Sequence, residues 1–328
     1  MIFIGAPKLF GQDQEKPKIP LDHFYVKRQS GGMFRKVLSK INFGIGTGFG
    51  NTFFSHKLDG FGIYQLPGVN PQIFSGTPAT RYGNWVNDVS IDKSAISGSA
   101  YVTPAGATDL SFKGNALNIP LQAFAYYSFS RYRIGAGYSY ELMSIGSLAP
   151  TSLGDQIRDF QPPSPTGFVR KYYAIIGASF YRVGDYLFTG DLQIGDFKPK
   201  SNFAPSVTGG MYYNLGVTIE RDFSEYFKGF VRPSYEIKSY SLAVPESGKA
   251  IDHTINAFYL NVGVTYRIPE LSRCFIKDCH AQINHAHGNK EYRSRRHAMY
   301  KKQNPGYGEN DKKLIKYRGK NNRRINPY

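Results

Sequence analysis

Cys274 and Cys279 are the only two cysteines of the chain, and His280, His285 and His287 follow close behind them. Two chemistries fit that spacing. In an oxidising compartment a pair so close in sequence forms a disulfide that closes a small loop and fixes the path of the chain. Thiolate and imidazole also suit zinc, and four such ligands complete a tetrahedral structural site. The disulfide between Cys274 and Cys279 is the reading adopted, with no cofactor. A structural zinc held by Cys274, Cys279, His280 and His285 is the alternative, with His287 nearby, although the spacing matches no common finger.

The next chemistry-bearing group is the cationic carboxyl-terminal stretch. From Glu270 to Tyr328 there are 15 Lys or Arg against five acids, which is +10 of the chain's formal net charge of +17. Few branched aliphatics accompany them, so the segment extends or is ordered by a partner instead of building its own core. Arg293, Arg295, Arg296, Lys301, Lys302, Arg323 and Arg324, with Tyr300 and Tyr307 among them, are the candidate partner-binding residues. In isolation, cations interleaved with tyrosines resemble an RNA-binding extension. What precedes them decides whether nucleic acid is within reach.

Hydrolytic chemistry needs a nucleophile, a base and an acid brought to one place. Ser55 adjoins His56, and Asp252 adjoins His253. No motif surrounds either pair, and the expectation is two solvated histidines near loop boundaries and no catalytic residues. A lipid-modifying enzyme remains as a third functional reading. Gly44, Gly46, Gly48 and Gly50 alternate along a single segment, which is a strand feature and not a phosphate-binding loop.

The elements that position these residues are strands. Met211, Tyr213, Leu215, Val217 and Ile219 alternate with Tyr212, Asn214, Gly216, Thr218 and Glu220. Phe258, Leu260, Val262, Val264 and Tyr266 alternate in the same way with Tyr259, Asn261, Gly263, Thr265 and Arg267. A period of two is a strand's signature and cannot come from a helix. Eight such segments are expected near 40–54, 118–129, 133–146, 170–182, 186–197, 209–222, 226–243 and 253–268. Tight turns at Ser130 to Tyr132, Val183 to Asp185 and Phe223 to Glu225 alternate with long connectors near 55–117, 147–169, 198–208 and 244–252. The fold class that follows is all-β: an eight-stranded antiparallel transmembrane β-barrel with an extended basic carboxyl-terminal tail.

Composition agrees. The chain has 328 residues, of which 15% are aromatic, and no apolar run long enough to cross a bilayer as a helix. Its mean hydropathy of -0.39 is compatible with a barrel, because only alternate residues of each strand meet lipid. The expected organisation is a signal-peptide remnant over 1–12, a periplasmic lead-in over 13–39, the barrel over 40–268 and the tail over 269–328. An eight-stranded barrel is just wide enough to be filled by its own side chains. Glu141, Asp191, Glu220, Lys228, Arg232, Glu236, Lys238 and Arg267 should therefore form a paired lumenal network, since buried charges need partners. Tyr138, Tyr140, Tyr173, Phe180, Tyr186, Phe188, Tyr213, Tyr235, Phe258 and Tyr266 are expected outside, as an aromatic girdle.

The strand style of Leu215 to Arg221 and Leu260 to Arg267, with the last strand ending Thr265-Tyr266-Arg267-Ile268, resembles the small outer-membrane β-barrel proteins of Bacteroidota. Barrels of the type IX secretion ring and accessory barrels of outer-membrane assembly are the members it is similar to. The resemblance covers roughly 40–268 and carries over no functional residue. It implies a non-enzymatic anchor or scaffold in the outer membrane, contacting lipid and the protein subunits of an outer-membrane or periplasmic complex. The tail would lie in the periplasm against partners or peptidoglycan, out of reach of nucleic acid. The alternative is a surface ligand-binding or adhesion barrel that uses the connector 55–117, which holds the single tryptophan, Trp85.

Overall fold

The structure is a computed structural model that describes residues 33–58, 61–75, 81–83, 88–90, 101–103, 110–162, 165–200, 207–224, 226–243, 250–279, 285–287 and 290–293. The expected signal-peptide remnant, Trp85, His280 and the tail residues beyond Arg293 lie outside the described residues. The chain begins its regular structure with a short helix, α1 (Met33–Leu38), followed by β1 (Ile41–Lys57). Five short strands come next: β2 (Phe61–Gln65), β3 (Gln72–Ser75), β4 (Arg81–Gly83), β5 (Asp88–Ser90) and β6 (Tyr101–Thr103). Seven long ones follow: β7 (Ser111–Phe129), β8 (Tyr132–Pro150), β9 (Thr166–Val183), β10 (Tyr186–Lys200), β11 (Val207–Asp222), β12 (Phe227–Ala243) and β13 (Ala250–Arg267). A small hairpin of β14 (His285–His287) and β15 (Lys290–Tyr292) ends the described chain.

β1 and β7 to β13 close into one antiparallel barrel in the order β1-β13-β12-β11-β10-β9-β8-β7. Each strand pairs with its sequence neighbour, and the ring shuts where β1 meets β13, from Asn42 opposite Arg267 to Phe53 opposite Asn256. The expected strand number, order and pairing are therefore present. The strands run longer than their sequence signature at one end. Residues 111–117 belong to β7 and 147–150 to β8, and the connector read as 55–117 carries its own sheet, in the order β5-β4-β3-β2-β6. Beyond the bilayer both faces of a strand meet polar or loop surroundings, so strict alternation fades before the hydrogen-bond ladder does.

The tight turns, α1 and the exit from β13 share one end of the barrel, the turn end. The long connectors share the other, the loop end. At the turns, Ser130 and Gly184 take φ of 51° and 54°, the left-handed geometry that lets a two-residue connection match the twist of its strands.

The two faces of the wall are inverted relative to a water-soluble protein. Ile45 is 63% exposed, Leu121 64% and Leu215 66%, and Phe49, Ile119, Ile176, Ile237, Phe258, Leu260 and Val262 continue the same outer surface. Each such side chain forgoes about 1.5–3 kcal/mol if it faces water instead of an apolar phase. A contiguous band of this extent is stable only against lipid. The barrel therefore spans a membrane, and no helix among the described residues is long and apolar enough to do so.

One expected placement changes. Tyr173 points inward and is 5% exposed, because it shares the parity of Lys171, Ile175, Gly177 and Ser179. Phe180 faces out as expected, and an irregularity follows it: the partners of Phe188 and Thr189 are Tyr181 and Ser179, so Phe180 is an extra residue of β9, Tyr181 also faces out and Arg182 turns in. Such a shift resets inside and outside midway along a strand, and parity counted from one end then fails at the other.

Replacing Leu215 by Arg should lower the unfolding free energy in phospholipid vesicles by about 2–4 kcal/mol, as for a cation forced to the lipid midplane. Urea titration of the two proteins measures it. Equal stability would mean that the outer face of β11 does not meet the bilayer core.

Candidate functional site

The lumen is built from the inward half of every barrel strand and divides into three layers. Nearest the turn end, Arg133 on β8 contacts Asp191 at 2.6 Å and Glu220 at 2.9 Å. Arg232 approaches the other oxygen of Asp191 at 2.7 Å, and Arg133 donates to the Thr218 hydroxyl at 2.7 Å. Arg182 pairs with Asp222 at 3.1 Å, while Lys228 lies 3.5 Å from Asp222. The Tyr126 hydroxyl donates to Glu220 at 3.0 Å, joining β7 to the diametrically opposite β11.

The middle layer centres on Lys171, whose ammonium is 2.8 Å from Glu141 and 2.7 Å from Glu236. Lys238 reaches Glu236 at 3.2 Å, and the Tyr259 hydroxyl donates to Glu141 at 2.8 Å. Lys171 also donates to Tyr259 at 3.2 Å across the full width of the ring, from β9 to β13. Asn118 donates to both Glu141 and Tyr259, and Asn214 to Glu236 at 3.1 Å. Among the described lumenal residues six cations (Arg133, Lys171, Arg182, Lys228, Arg232 and Lys238) face five carboxylates (Glu141, Asp191, Glu220, Asp222 and Glu236). Rings of Phe124, Phe230 and Tyr259 fit beside this network because Gly44, Gly46 and Gly50 on β1 have no side chain to meet them.

At the loop end the lumen turns apolar. Phe54, Phe112, Met143, Ile145, Leu148, Phe160, Val169, Phe197, Leu242 and Ile255 form one buried cluster with Leu58, Ile63 and Ile157 from the connectors. A small cavity of about 40 Å³ lies here, bordered by Phe54, Met143, Phe160, Phe197 and Tyr240. His56 lines it, the ring centre of His253 is 4.1 Å from that of His56, and His56 Nε2 is hydrogen-bonded to the Tyr240 hydroxyl. These histidines were expected to be solvated. They are buried, since each shares the inward parity of its strand. The same parity sends Ser55 and Asp252 outward. Adjacent strand residues point to opposite faces, so neither neighbour can complete a hydrolytic triad with these imidazoles.

Seven of the eight predicted lumenal charges lie inside, and Arg267 sits at the turn-end rim with its amide donating to the Tyr226 carbonyl at 2.8 Å. Arg133, Lys171, Arg182 and Asp222 escaped the sequence reading. Arg133 shares the parity of Ser139 and Glu141, which would have revealed it, and Lys171 was masked by its neighbours Arg170, Tyr172 and Tyr173.

The remaining site lies just outside the barrel, at the turn end. Cys274 is buried and Cys279 half-buried, and both are free thiols. The expected disulfide is not formed, because each sulfur faces an imidazole instead of the other sulfur. Cys274 Sγ is 3.3 Å from His287 Nε2, and Cys279 Sγ is 3.1 Å from His285 Nε2. The ligand atoms of all four residues lie within 4.8 Å of one another. Among the described residues His287 joins His285 in this cluster, because residues two apart on a strand share a face and β14 is a strand; His280 of the sequence alternative lies outside the described residues.

The segment is fastened to the barrel. Arg35 of α1 donates to the Pro269 carbonyl at 3.1 Å and to the Ser272 hydroxyl at 2.9 Å. The amide of Cys274 donates to the Arg293 carbonyl at 3.0 Å and that of Arg293 to the Ser272 carbonyl at 2.9 Å. Of the predicted partner-binding residues, Arg293 is the one described; it is buried, with its guanidinium 4.6 Å over the ring of Tyr226. It holds the segment against the rim and is not turned out toward solvent.

No protein-family model matches the chain, and no curated protein matches it. Solved structures similar to it are outer-membrane barrels. The outer-membrane protease OmpT from Escherichia coli is 14% identical, with 70% of this chain and 97% of that chain covered and a TM-score of 0.30. The outer-membrane protein OprG from Pseudomonas aeruginosa is 10% identical over 73% and 97%, with a TM-score of 0.34. The translocator domain of the autotransporter NalP from Neisseria meningitidis is 12% identical over 68% and 88%, with a TM-score of 0.21. Likeness at this level carries no argument about activity, and the fold rests on the strand ring itself.

Truncating Glu236 to Ala leaves Lys171 and Lys238 with Glu141 as their nearest carboxylate, and should destabilise the folded barrel by about 3–5 kcal/mol. Glu236→Met combined with Lys238→Met removes one charge of each sign and should recover most of that loss. Unfolding titrations of the three proteins measure both effects; additive losses would mean that the pair is not coupled.

Proposed function

We propose that this protein is a non-enzymatic outer-membrane barrel that anchors or scaffolds a cell-envelope complex of the secretion or outer-membrane assembly type. Its tail docks periplasmic protein partners or peptidoglycan, and its wall contacts outer-membrane lipid. The observation that carries this reading is the mount at the turn end. The chain leaving β13 is tied to α1 through Arg35 and to the rim through Arg293 and Tyr226, so the cationic tail that follows departs from a fixed point. Short turns face the periplasm in barrels of this type, and on this reading that point meets anionic cell-wall and partner surfaces, away from nucleic acid. Exposed Met33, Phe34 and Phe275, at 87%, 77% and 65%, add apolar contact area at the same end. The lumenal network supports the same reading, because side chains that meet across opposite walls suit a rigid support better than a conduit.

The apolar cavity at the loop end, bordered by Phe160 and Pro162, favours a second reading, a surface ligand-binding or adhesion barrel that uses the connector 55–117. The two readings separate by deletion. Removing residues 294–328 should leave a heat-modifiable, membrane-inserted barrel that no longer co-purifies with envelope proteins recovered by the full chain in mild detergent. Undiminished recovery would defeat the anchoring role, and recovery lost only when the loop-end connector is shortened would favour the second reading.

A further inference from the structure

We propose that Cys274, Cys279, His285 and His287 bind one divalent metal ion, zinc by preference, in a closed tetrahedral site that clasps the segment after β13. Four soft or borderline donors, two sulfur and two imidazole nitrogen, converge within 4.8 Å of one another. Zn–S bonds of about 2.3 Å and Zn–N bonds of about 2.0–2.1 Å at tetrahedral angles require S to N separations of roughly 3.6 Å. The two S to N pairs stand at 3.3 and 3.1 Å, so a small rearrangement of side chains centres an ion among them. With four protein ligands and no open position, such a site is structural and not catalytic. Sulfur and imidazole select zinc over magnesium or calcium, which take oxygen ligands.

The backbone explains why these four meet. The turn after Cys274 folds back, with the Cys279 amide donating to the Ile276 carbonyl at 3.4 Å, and brings the two sulfurs to one side. Across from it β14 pairs with β15, His285 opposite Tyr292 and His287 opposite Lys290, and the one-residue gap puts both imidazoles on one face. Rings of Phe275 and Tyr292 stand about the His287 ring, each with its centroid 6.0 Å away. The amide of Cys274 is held by the Arg293 carbonyl, whose side chain lies on Tyr226 of the barrel. A metal here links the turn and the hairpin, which have little apolar core of their own, and fixes both against the rim. Thiols that would otherwise oxidise in the periplasm are then kept as metal-bound thiolates. The inference does not rest on the anchoring role: metal bound without partners would sink that role alone.

The test is the full chain, purified in detergent without a polyhistidine tag, with metal measured by mass spectrometry of the dissolved protein and the metal exchanged for Co(II). The expected result is one equivalent of zinc per chain. The cobalt form should show the intense visible bands of a tetrahedral ion and a thiolate-to-cobalt band in the near ultraviolet. Cys274→Ser with Cys279→Ser, and His285→Ala with His287→Ala, should each lose the metal and these bands while the barrel remains heat-modifiable. His280→Ala should keep both. Less than a tenth of an equivalent of metal, or an intact mass lower by the two hydrogens of a disulfide, would overturn the proposal. So would full metal content in both double variants.

Discussion

Inside a bilayer no water is available to a peptide N–H or C=O, and each group left without a partner costs several kcal/mol. The ladder between β1 and β13, from Asn42 opposite Arg267 to Phe53 opposite Asn256, removes the two free edges that eight strands would otherwise present. Once the ring is shut, the wall can face lipid with Ile45, Leu121, Leu215 and Leu260 and still hide the charged network on the other side. Opening that seam would expose both backbone edges and the charged interior together. The apolar exterior and the charged lumen both follow from closure.

Narrowness then sets the interior. With eight strands, side chains from opposite walls touch, as Lys171 and Tyr259 do, so the lumen is a core built from polar groups. Charges confined there must be compensated, and each carboxylate accordingly meets a cation or a hydrogen-bond donor. Glycines on β1 admit the aromatic rings that fill what the ion pairs leave. Toward the loop end the filling becomes apolar and is completed by Leu58, Ile63, Ile157 and Phe160 from the connectors. Both parts give a stiff cylinder.

The period of two was legible wherever alternation was strict. It identified β11 and β13 residue by residue, gave eight strands, and placed seven lumenal charges. It failed where a second influence acted on the same strand. The extra residue Phe180 resets the parity of β9, and consecutive polar and aromatic residues from Arg170 to Tyr173 carry no usable contrast. Strand ends past the bilayer and the sheet of β2 to β6 were hidden for a related reason, since no lipid imposes a pattern there. At the Cys and His cluster the residue types stood out in the sequence, but bringing His287 beside His285 required knowing that residues 285–287 form a strand.

The two halves of the molecule meet at the turn end, where Arg35, Ser272, Arg293 and Tyr226 join the segment after β13 to the rim. All of it presupposes a wall with lipid outside and side chains inside, and fluorescence tests that most directly. With Trp85 replaced by Phe, a single tryptophan is introduced at Leu215 or at Phe230 and the protein is folded into vesicles whose acyl chains carry bromine. Tryptophan at Leu215 should be strongly quenched, most by bromine near the bilayer centre, and tryptophan at Phe230 should be nearly unaffected. Equal quenching at the two positions, or none at either, would contradict the account.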